Sequence, residues 1–509
     1  MPATYILGDR TVSGAELDNG AMRAAAGLLR HGVGDGDAVA WMLRNDVAVF
    51  EATAATQLLG AAVVPINWHF SGEEVAYVLR DSGAKALVVH TDLLAGIAAD
   101  LPDGLLALAV PTPEPIAAAY GLDPGACAPP AGIPVWSEWR AAFEPRQEPP
   151  PHAPTRMLYT SGTTGHPKGV RREPSTEEQT KQVQARAQTV MGHRPGMRTV
   201  ICGPAYHSAP YSYANLAVAF GATIVLQPRF DAEELLALIE RHRITGMFMA
   251  PIMLVRLLRL PEEVRNRYDL SSLEHVIHAG STCPPKVKHA MIDWWGPIVH
   301  EFYGSTESGM VTHCDSAEWL AHPGTAGRPI ESATVRIFRE DGSETAVGEA
   351  GEIYMRCIDY PEFTYHNDPE KRRAIDRNGL ITNGDVGYFD DDGFLYICDR
   401  VKDMVISGGV NIYPAEIEAA VHGFPGVHDC AAFGIPDEEY GEAVAALVEP
   451  LHGHSLDESE LRAFLGEHLA KYKIPRLIEF RRNLPREDTG KIFKRKLREP
   501  YWEQAGRRI

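Results

Sequence analysis

The sequence reads Tyr159-Thr160-Ser161-Gly162-Thr163-Thr164-Gly165-His166-Pro167-Lys168-Gly169 directly after a short apolar run, and this stretch decides which fold to expect. Its three glycines let the backbone approach an anion closely. The hydroxyl groups of Thr160, Ser161, Thr163 and Thr164 can donate hydrogen bonds, and Lys168 adds a positive charge. The stretch therefore predicts a loop that wraps a polyphosphate rather than a flexible surface loop. Its register differs from the GxxxxGK[ST] phosphate loop.

The chain is acidic, with 49 Lys and Arg against 68 Asp and Glu and a formal net charge of −19. This balance argues against a general binder of nucleic acid or anionic membranes, because such proteins need a positive field. Residues 471–509 are the exception, since 13 Lys and Arg there face five Asp and Glu. The basic end of an acidic chain therefore requires its own counter-ions.

Several other classes are disfavoured by simple patterns. No apolar run approaches the roughly 18 residues that a membrane span needs, and the first ten residues lack the layout of a secretory signal. The seven cysteines are widely spaced and never form a CxxC pair, so neither a disulfide framework nor a zinc ribbon is indicated. GxSxG and HExxH motifs are missing, which argues against a serine hydrolase and a zinc hydrolase. We expect a cytoplasmic enzyme with small-molecule partners.

The first 399 residues alternate short apolar runs with amphipathic helical patterns, which predicts α/β layers with mostly parallel sheets. Predicted strands include 38–43, 86–90, 199–202, 222–226, 246–249 and 275–278, and predicted helices include 71–82 and 232–242. The Pro- and Ala-rich segment 111–154 is interpreted as a surface connection. After residue 399 the pattern changes to a helix at 415–421, strands at 427–433 and 443–448, and a helix at 458–469. We therefore expect a separate small α+β domain over 400–509.

Four further motifs follow the Gly-rich stretch in order, and together they resemble the adenylate-forming superfamily of AMP-binding enzymes. They are Tyr303-Gly304-Ser305-Thr306-Glu307, Asn383-Gly384-Asp385, Asp399-Arg400-Val401-Lys402-Asp403 with Ser407-Gly408-Gly409, and Pro485-Arg486-Glu487-Asp488-Thr489-Gly490-Lys491. The resemblance implies a large N-terminal adenylation domain over 1–399 and a small mobile C-terminal lid domain over 400–509. It places the hinge near residues 400–403.

The resemblance also implies a nucleotide site. ATP phosphates are expected at Thr160, Ser161, Gly162, Thr163, Thr164 and Lys168. Adenine is expected between the ring of Tyr303 and the backbone of Gly280 and Ser281, with the ribose at Asp385 and Arg400. Thr306 is expected to donate to the α-phosphate and Glu307 to hold Mg²⁺, a hard cation that prefers carboxylate oxygen. Asn383 departs from the family's usual Thr at that position.

Catalytic roles follow from the same resemblance. Lys491 is expected to offset the charge that builds up when a carboxylate attacks the α-phosphate. Lys402 is the expected hinge residue, and Ser407, Gly408 and Gly409 are expected to line a narrow tunnel for CoA. ATP, pyrophosphate and CoA would then be the counter-ions of the basic tail. Each lysine could instead be an ordinary surface residue.

The acyl-/aryl-CoA synthetase branch is favoured because His207 stands where amino-acid-activating relatives place an aspartate. This histidine could orient the carboxylate or gate the tunnel, and a purely structural histidine is the alternative. The expected acyl pocket, between residues 206–211, 248–251, 278–280 and 303–311, contains no Lys or Arg. We therefore expect a bulky hydrophobic monocarboxylic acid: fatty, aryl or polycyclic. Transfer to a carrier protein and a non-catalytic nucleotide-binding relative remain alternatives, and a homodimer is left open.

Overall fold

The computed structural model describes residues 2–153, 155–160, 167–400, 403–407, 410–486 and 492–504. Up to residue 160 the elements are β1 Thr4–Leu7, β2 Arg10–Ser13, α1 Gly14–Arg30, β3 Ala38–Met42, α2 Val47–Gln57, β4 Ala62–Pro65, α3 Gly72–Ser82, β5 Ala84–His90, α4 Thr91–Leu94, β6 Leu106–Val110, α5 Glu114–Tyr120, α6 Trp136–Ala141 and β7 Met157–Thr160. Residues 167–314 contain β8 Lys168–Arg172, α7 Glu177–Thr189, β9 Arg198–Ile201, α8 Ser208–Ala219, β10 Thr223–Leu226, α9 Ala232–His242, β11 Gly246–Met249, α10 Pro251–Leu258, α11 Glu262–Arg265, β12 His275–His278, α12 Pro285–Trp295, β13 Val299–Ser305 and β14 Gly309–Cys314.

The remaining elements begin with a largely antiparallel stretch. They are α13 Ser316–Ala321, β15 Arg328–Pro329, β16 Ala333–Phe338, β17 Gly351–Cys357, β18 Phe363–Tyr365, α14 Pro369–Ala374, β19 Asp376–Arg377, β20 Leu380–Phe389 and β21 Leu395–Arg400. Those after residue 400 are β22 Val405–Ser407, β23 Val410–Ile412, α15 Pro414–His422, β24 Val427–Asp437, β25 Gly441–Pro450, α16 Glu458–His468, β26 Leu477–Phe480 and α17 Lys494–Gln504.

Two parallel-rich sheets form the framework of the first half of the chain. A nine-stranded sheet has the order β15-β14-β13-β12-β11-β9-β10-β1-β2, and its central strands from β1 to β13 pair in parallel. A second sheet, β4-β3-β5-β6, is parallel throughout. The predicted α/β class is therefore confirmed. Strands β11 and β12 have the predicted bounds, because fully buried parallel strands appear in sequence as continuous apolar runs.

The carboxyl ends of the parallel strands gather the segments that carry the predicted site. Strand β9 leads into the loop before α8, β11 leads into α10, and β12 leads into the loop before α12. Because parallel strands end at the same edge of their sheet, these loops lie side by side. The neighbouring strand β13 runs in the same direction and then turns back into β14.

A five-stranded antiparallel sheet of β16, β17, β19, β20 and β21 was not predicted. Its strands alternate buried and partly buried residues, as in β17, instead of being buried throughout. The chain was also expected to cross 111–154 as a surface connection, and this is wrong in part. That segment contains α5 and α6, and Trp136 of α6 is 3% exposed.

Residues after 400 build their own sheet, β23-β22-β25-β24, with β26 paired to β25. A cluster that includes Ile417, Val421, Leu461 and Leu465 packs α15 and α16 on one face of it. In the part of the chain that the structure describes, no helix combines the length and apolar character needed to cross a bilayer.

Candidate active site

Strands β7 and β8, at the two ends of the Gly-rich stretch, pair antiparallel. Thr160 at the end of β7 lies opposite Lys168 at the start of β8. Four predicted phosphate-binding residues between them, Ser161, Gly162, Thr163 and Thr164, lie outside the described residues. The Nζ atom of Lys168 lies 5.3 Å from the ring centroid of Tyr365. Strand β8 therefore holds Lys168 beside Tyr365, the residue that contacts Glu307.

The turn between β13 and β14 carries Thr306 and Glu307, and a partly buried arginine holds its backbone. Arg172 of β8 donates to the carbonyl oxygens of Thr306 at 2.8 Å and Glu307 at 2.6 Å. Burial and the nearby Arg156 lower the pKa of Arg172 to about 10, which leaves it charged at neutral pH. The hydroxyl of Tyr365 donates to Oε1 of Glu307 at 3.0 Å. The backbone of Glu307 is thus held by Arg172 and its carboxylate by Tyr365 before any ligand binds.

A second hydrogen-bonded group joins three of the predicted nucleotide residues. The hydroxyl of Tyr303 donates to Oδ2 of Asp385 at 2.7 Å, and Nε of Arg400 donates to Oδ1 at 3.0 Å. Arg400 lies opposite Asp385 in the β20–β21 pairing. Burial and the charge of Asp385 raise the pKa of Tyr303 well above its usual value, so the phenol remains a donor. Each carboxylate oxygen can still accept a second hydrogen bond from a sugar hydroxyl.

The loop after β12 presents exposed backbone next to this group. Gly280 has φ +96° and no atom within 4 Å of the position that a Cβ would occupy, and both Gly280 and Ser281 are exposed. Strands β12 and β13 are parallel neighbours, so this loop and Tyr303 lie at the same sheet edge. The backbone of the loop is therefore open at Gly280, on the sheet edge that also carries Tyr303.

His207 precedes α8, and its ring lies 4.2 Å from that of Tyr206. Aromatic rings of α8, β11 and β13 lie next to one another and form an aromatic wall. Tyr213 lies 6.3 Å from Phe248, and Phe248 lies 6.2 Å from Phe302. Phe248 lies within the windows predicted for the acyl pocket, whereas Tyr213 and Phe302 lie outside them. Phe302 directly precedes Tyr303, and Tyr213 follows Ser208 in α8.

The family model for AMP-binding enzymes matches residues 2–358, and the model for the AMP-binding enzyme C-terminal domain matches residues 416–491. The chain belongs to the AMP-binding enzyme family. A feruloyl-CoA synthase of Amycolatopsis sp is 33% identical over 499 residues, covering 96% of this chain and 94% of that protein. The long-chain-fatty-acid–CoA ligase FadD13 of Mycobacterium tuberculosis is 33% identical over 491 residues, covering 96% and 92%.

Solved structures agree with this assignment. ATP-bound MatB from Rhodopseudomonas palustris matches with a TM-score of 0.84 at 27% identity, covering 98% of this chain and 96% of that one. The predicted resemblance to the acyl-/aryl-CoA synthetase branch of adenylate-forming enzymes is confirmed. This AMP-binding enzyme is an AMP-forming acyl-CoA synthetase by class.

The departure at Asn383 has a local explanation in this AMP-binding enzyme. Ser305 donates from Oγ to Oδ1 of Asn383 at 3.3 Å. The same Ser305 oxygen accepts from the backbone N–H of Glu307 at 3.1 Å and of Ser308 at 3.0 Å. Asn383 therefore supports the turn that carries Glu307 through Ser305.

The predicted hinge, CoA tunnel and lysine loop are only partly described. Lys402, Gly408, Gly409 and Lys491 lie outside the described residues. Ser407 ends β22 and pairs with Gly441, and beside it Ile406 and Val410 are 49% and 45% exposed. Arg486 and Ile492 form an isolated bridge on either side of the predicted lysine loop.

The basic tail has protein counter-ions that the sequence did not predict. Arg486 contacts Asp429 and lies 2.7 Å from Glu449, and Lys494 lies 2.8 Å from Glu418. Four further cations pair with carboxylates: Lys473 with Glu416, Arg476 with Asp437, Arg481 with Glu479, and Arg495 with Glu499. The expectation that small polyanions neutralise this tail is wrong for these six side chains.

Proposed function

We propose that this enzyme ligates a carboxylic acid to CoA in two half-reactions at one site. In the first, the carboxylate attacks the α-phosphorus of ATP, and pyrophosphate leaves from an acyl-AMP. In the second, the thiol sulfur of CoA attacks the acyl carbon, loses its proton, and expels AMP. The observation that carries this proposal is the hydrogen-bonded group of Tyr303, Asp385 and Arg400 beside the fixed turn at Thr306 and Glu307.

In this proposal each part of the nucleotide has its own residues. The ribose hydroxyls donate to Asp385, and the hydrogen bond from Arg400 orients that carboxylate. Adenine stacks between Tyr303 and the backbone of Gly280 and Ser281. The phosphates bind the Gly-rich stretch from Thr160 to Lys168, whose two end residues are paired. Thr306 then reaches the α-phosphate.

Glu307 fits the preferences of Mg²⁺ for a hard oxygen ligand. Mg²⁺ is commonly bound through one or two carboxylates together with substrate phosphates and water. Glu307 offers one carboxylate, already oriented by Tyr365, next to the predicted phosphate site. When bound, the ion would neutralise charge on the phosphates. The chain's own contribution is to hold Glu307 and exclude other orientations of its side chain.

We assign the first half-reaction to Lys491 and the second to rotation of the small domain. Residues 1–399 form the adenylation domain, residues 400–509 form the lid, and Lys402 is the hinge. Ile406 and Val410 support this arrangement, because two exposed apolar side chains flank the predicted CoA tunnel at Ser407, Gly408 and Gly409. Rotation that brings this hairpin to the site would cover them.

The hinge assignment predicts a separation of the two half-reactions. Lys402→Pro should spare acid-dependent pyrophosphate exchange and lower CoA-dependent turnover by about 100-fold, because proline fixes φ where the chain must rotate. Both activities are measured on the same preparation, with Lys496→Ala as a surface-lysine control. Equal loss of both activities in Lys402→Pro would contradict the hinge.

We propose a bulky hydrophobic monocarboxylic acid as the substrate. The aromatic wall of Tyr213, Phe248 and Phe302 supports this, because such rings bury a large apolar ligand without offering a charge for a second carboxylate. In this proposal His207, which directly precedes α8, orients the carboxylate or gates the tunnel. CoA and ATP as co-substrates support a cytoplasmic location.

A panel of carboxylic acids with ATP, Mg²⁺ and CoA tests the proposal through AMP release. We expect turnover of fatty, aryl or polycyclic acids, and CoA-dependent AMP formation for each active acid. Parallel assays without CoA, with hydroxylamine to trap acyl-AMP, separate ligation from adenylation alone. Turnover restricted to acetate or malonate would contradict the substrate class. Trapped acyl-AMP with no CoA-dependent product would favour transfer to a carrier protein.

A further inference from the structure

A buried ion pair lies directly beneath the proposed adenine site. Lys288 of α12 is fully buried, and its Nζ atom lies 2.6 Å from Oε2 of Glu301 in β13. The same ammonium lies 5.0 Å above the ring of Trp319. Its surroundings are otherwise the apolar cluster that includes Met291 and Val299. Such a pair requires an explanation, because well-packed apolar residues are often as stabilising as a buried ion pair or more so.

A third residue meets the same carboxylate oxygen. Nε2 of His278, the last residue of β12, lies 3.5 Å from Oε2 of Glu301. Burial and the charge of Lys288 lower the pKa of His278 well below its usual value, so this imidazole is neutral. The loop with Gly280 and Ser281 begins at His278 and leads into the helix that carries Lys288. Residues at both ends of that loop therefore lie against one oxygen of Glu301: Lys288 through the ion pair, and His278 through a 3.5 Å contact that is not a hydrogen bond.

Glu301 also connects to the opposite side of the adenine site. Alternate residues of a strand project to the same face, so Glu301 and Tyr303 of β13 point to the same side. The hydroxyl of Tyr303 continues to Asp385 at 2.7 Å. The carboxylate of Glu301 thus lies between two parts of the expected adenine site. One is the backbone of the loop at Gly280, and the other is the ring of Tyr303.

We propose that Lys288 and Glu301 are positioning residues that set the spacing between the loop at Gly280 and the ring of Tyr303, and so the affinity for the adenine nucleotide. This inference rests on the proposed function of the site. Neither residue touches the reacting atoms, and their effect passes through His278, the loop and the strand. The short ion pair should hold the distance between the loop at Gly280 and the ring of Tyr303 within a narrower range than apolar packing would. Charged hydrogen bonds are directional, and apolar contacts are not.

Lys288→Met is the decisive variant, because it keeps a chain of similar length and leaves Glu301 in an environment where burial raises the pKa of its carboxyl. The carboxyl can then take up a proton instead of remaining an unpaired charge. We expect the Kd for AMP, measured by calorimetry, and the KM for ATP to rise about tenfold. The KM for the acid should change by less than about twofold. Lys286→Met, an exposed lysine on the same helix, is the matched control and should leave all three values unchanged.

The double variant Lys288→Met/Glu301→Leu separates positioning from stability. Replacing both charges with apolar groups should restore the melting temperature, whereas AMP binding should stay about tenfold weaker. Wild-type AMP affinity in either variant would overturn the inference, and so would an equal rise in the KM values for ATP and acid. Failure of the wild-type protein to bind AMP would instead overturn the proposed function on which the inference rests.

Discussion

Tyr303 and Phe302 are adjacent in β13, yet they lie in two differently built regions of the site. Tyr303 belongs to a polar region in which directional hydrogen bonds join it to Asp385 and Arg400, and in which Tyr365 donates to Glu307. Phe302 belongs to an apolar region in which rings pack on rings. Directional bonds fix one ligand shape, whereas apolar packing fixes volume more than geometry. We therefore expect the proposed nucleotide side of the site to be specified tightly and the proposed acyl side loosely.

The largest effect in this comparison should come from Asp385→Asn. The amide would keep the shape but lose the charge that holds Arg400 and accepts from the ribose, and hydrogen bonds to a charged group are worth about 1.5–3 kcal/mol each. We expect the KM for ATP to rise about 100-fold with little change in the KM for the acid. Initial rates over a matrix of ATP and acid concentrations measure both constants.

An equal rise in both KM values of Asp385→Asn would show that the two regions are not independent. The polar region at Tyr303 and the apolar region at Phe302 would then differ in residue type but not in which ligand each one binds.

The same contrast explains what could be predicted from sequence. Tyr303, Asp385 and Arg400 were each expected from local motifs, as was the parallel framework from runs such as β11. The bond between Tyr303 and Asp385 was not, because 82 residues separate them and no local pattern reports such a contact. Arg172 was also missed, because it donates to backbone carbonyls, which every sequence supplies.

Phe302→Ala should give the next largest effect, on the acyl side only. Burying a phenylalanine side chain is worth roughly 1.5–3 kcal/mol, so losing this ring should raise the KM for a bulky aryl acid about tenfold. The KM for ATP should remain within about twofold of wild type. A longer or wider acid that fills the vacated volume should recover part of the loss. A change confined to ATP would place Phe302 in the nucleotide region instead.

Tyr303→Phe should give the smallest effect of the series. It keeps the ring that would stack on adenine and removes only the hydroxyl that donates to Asp385. A single hydrogen bond contributes about 1 kcal/mol, so we expect a roughly fivefold rise in the KM for ATP. Isothermal titration with AMP checks the same change without turnover. A loss as large as that of Asp385→Asn would mean that the hydroxyl, and not the carboxylate, organises the ribose site.

Acid-dependent exchange of labelled pyrophosphate into ATP tests whether the enzyme forms acyl-AMP with the help of Lys491, because the exchange reports acyl-AMP formation without CoA. The account predicts exchange by the wild-type enzyme with a hydrophobic acid, and a fall of about 10²–10³-fold in Lys491→Ala. Lys496→Ala, which removes an exposed lysine of the same tail, should exchange at the wild-type rate. Undiminished exchange in Lys491→Ala would contradict the proposed chemistry.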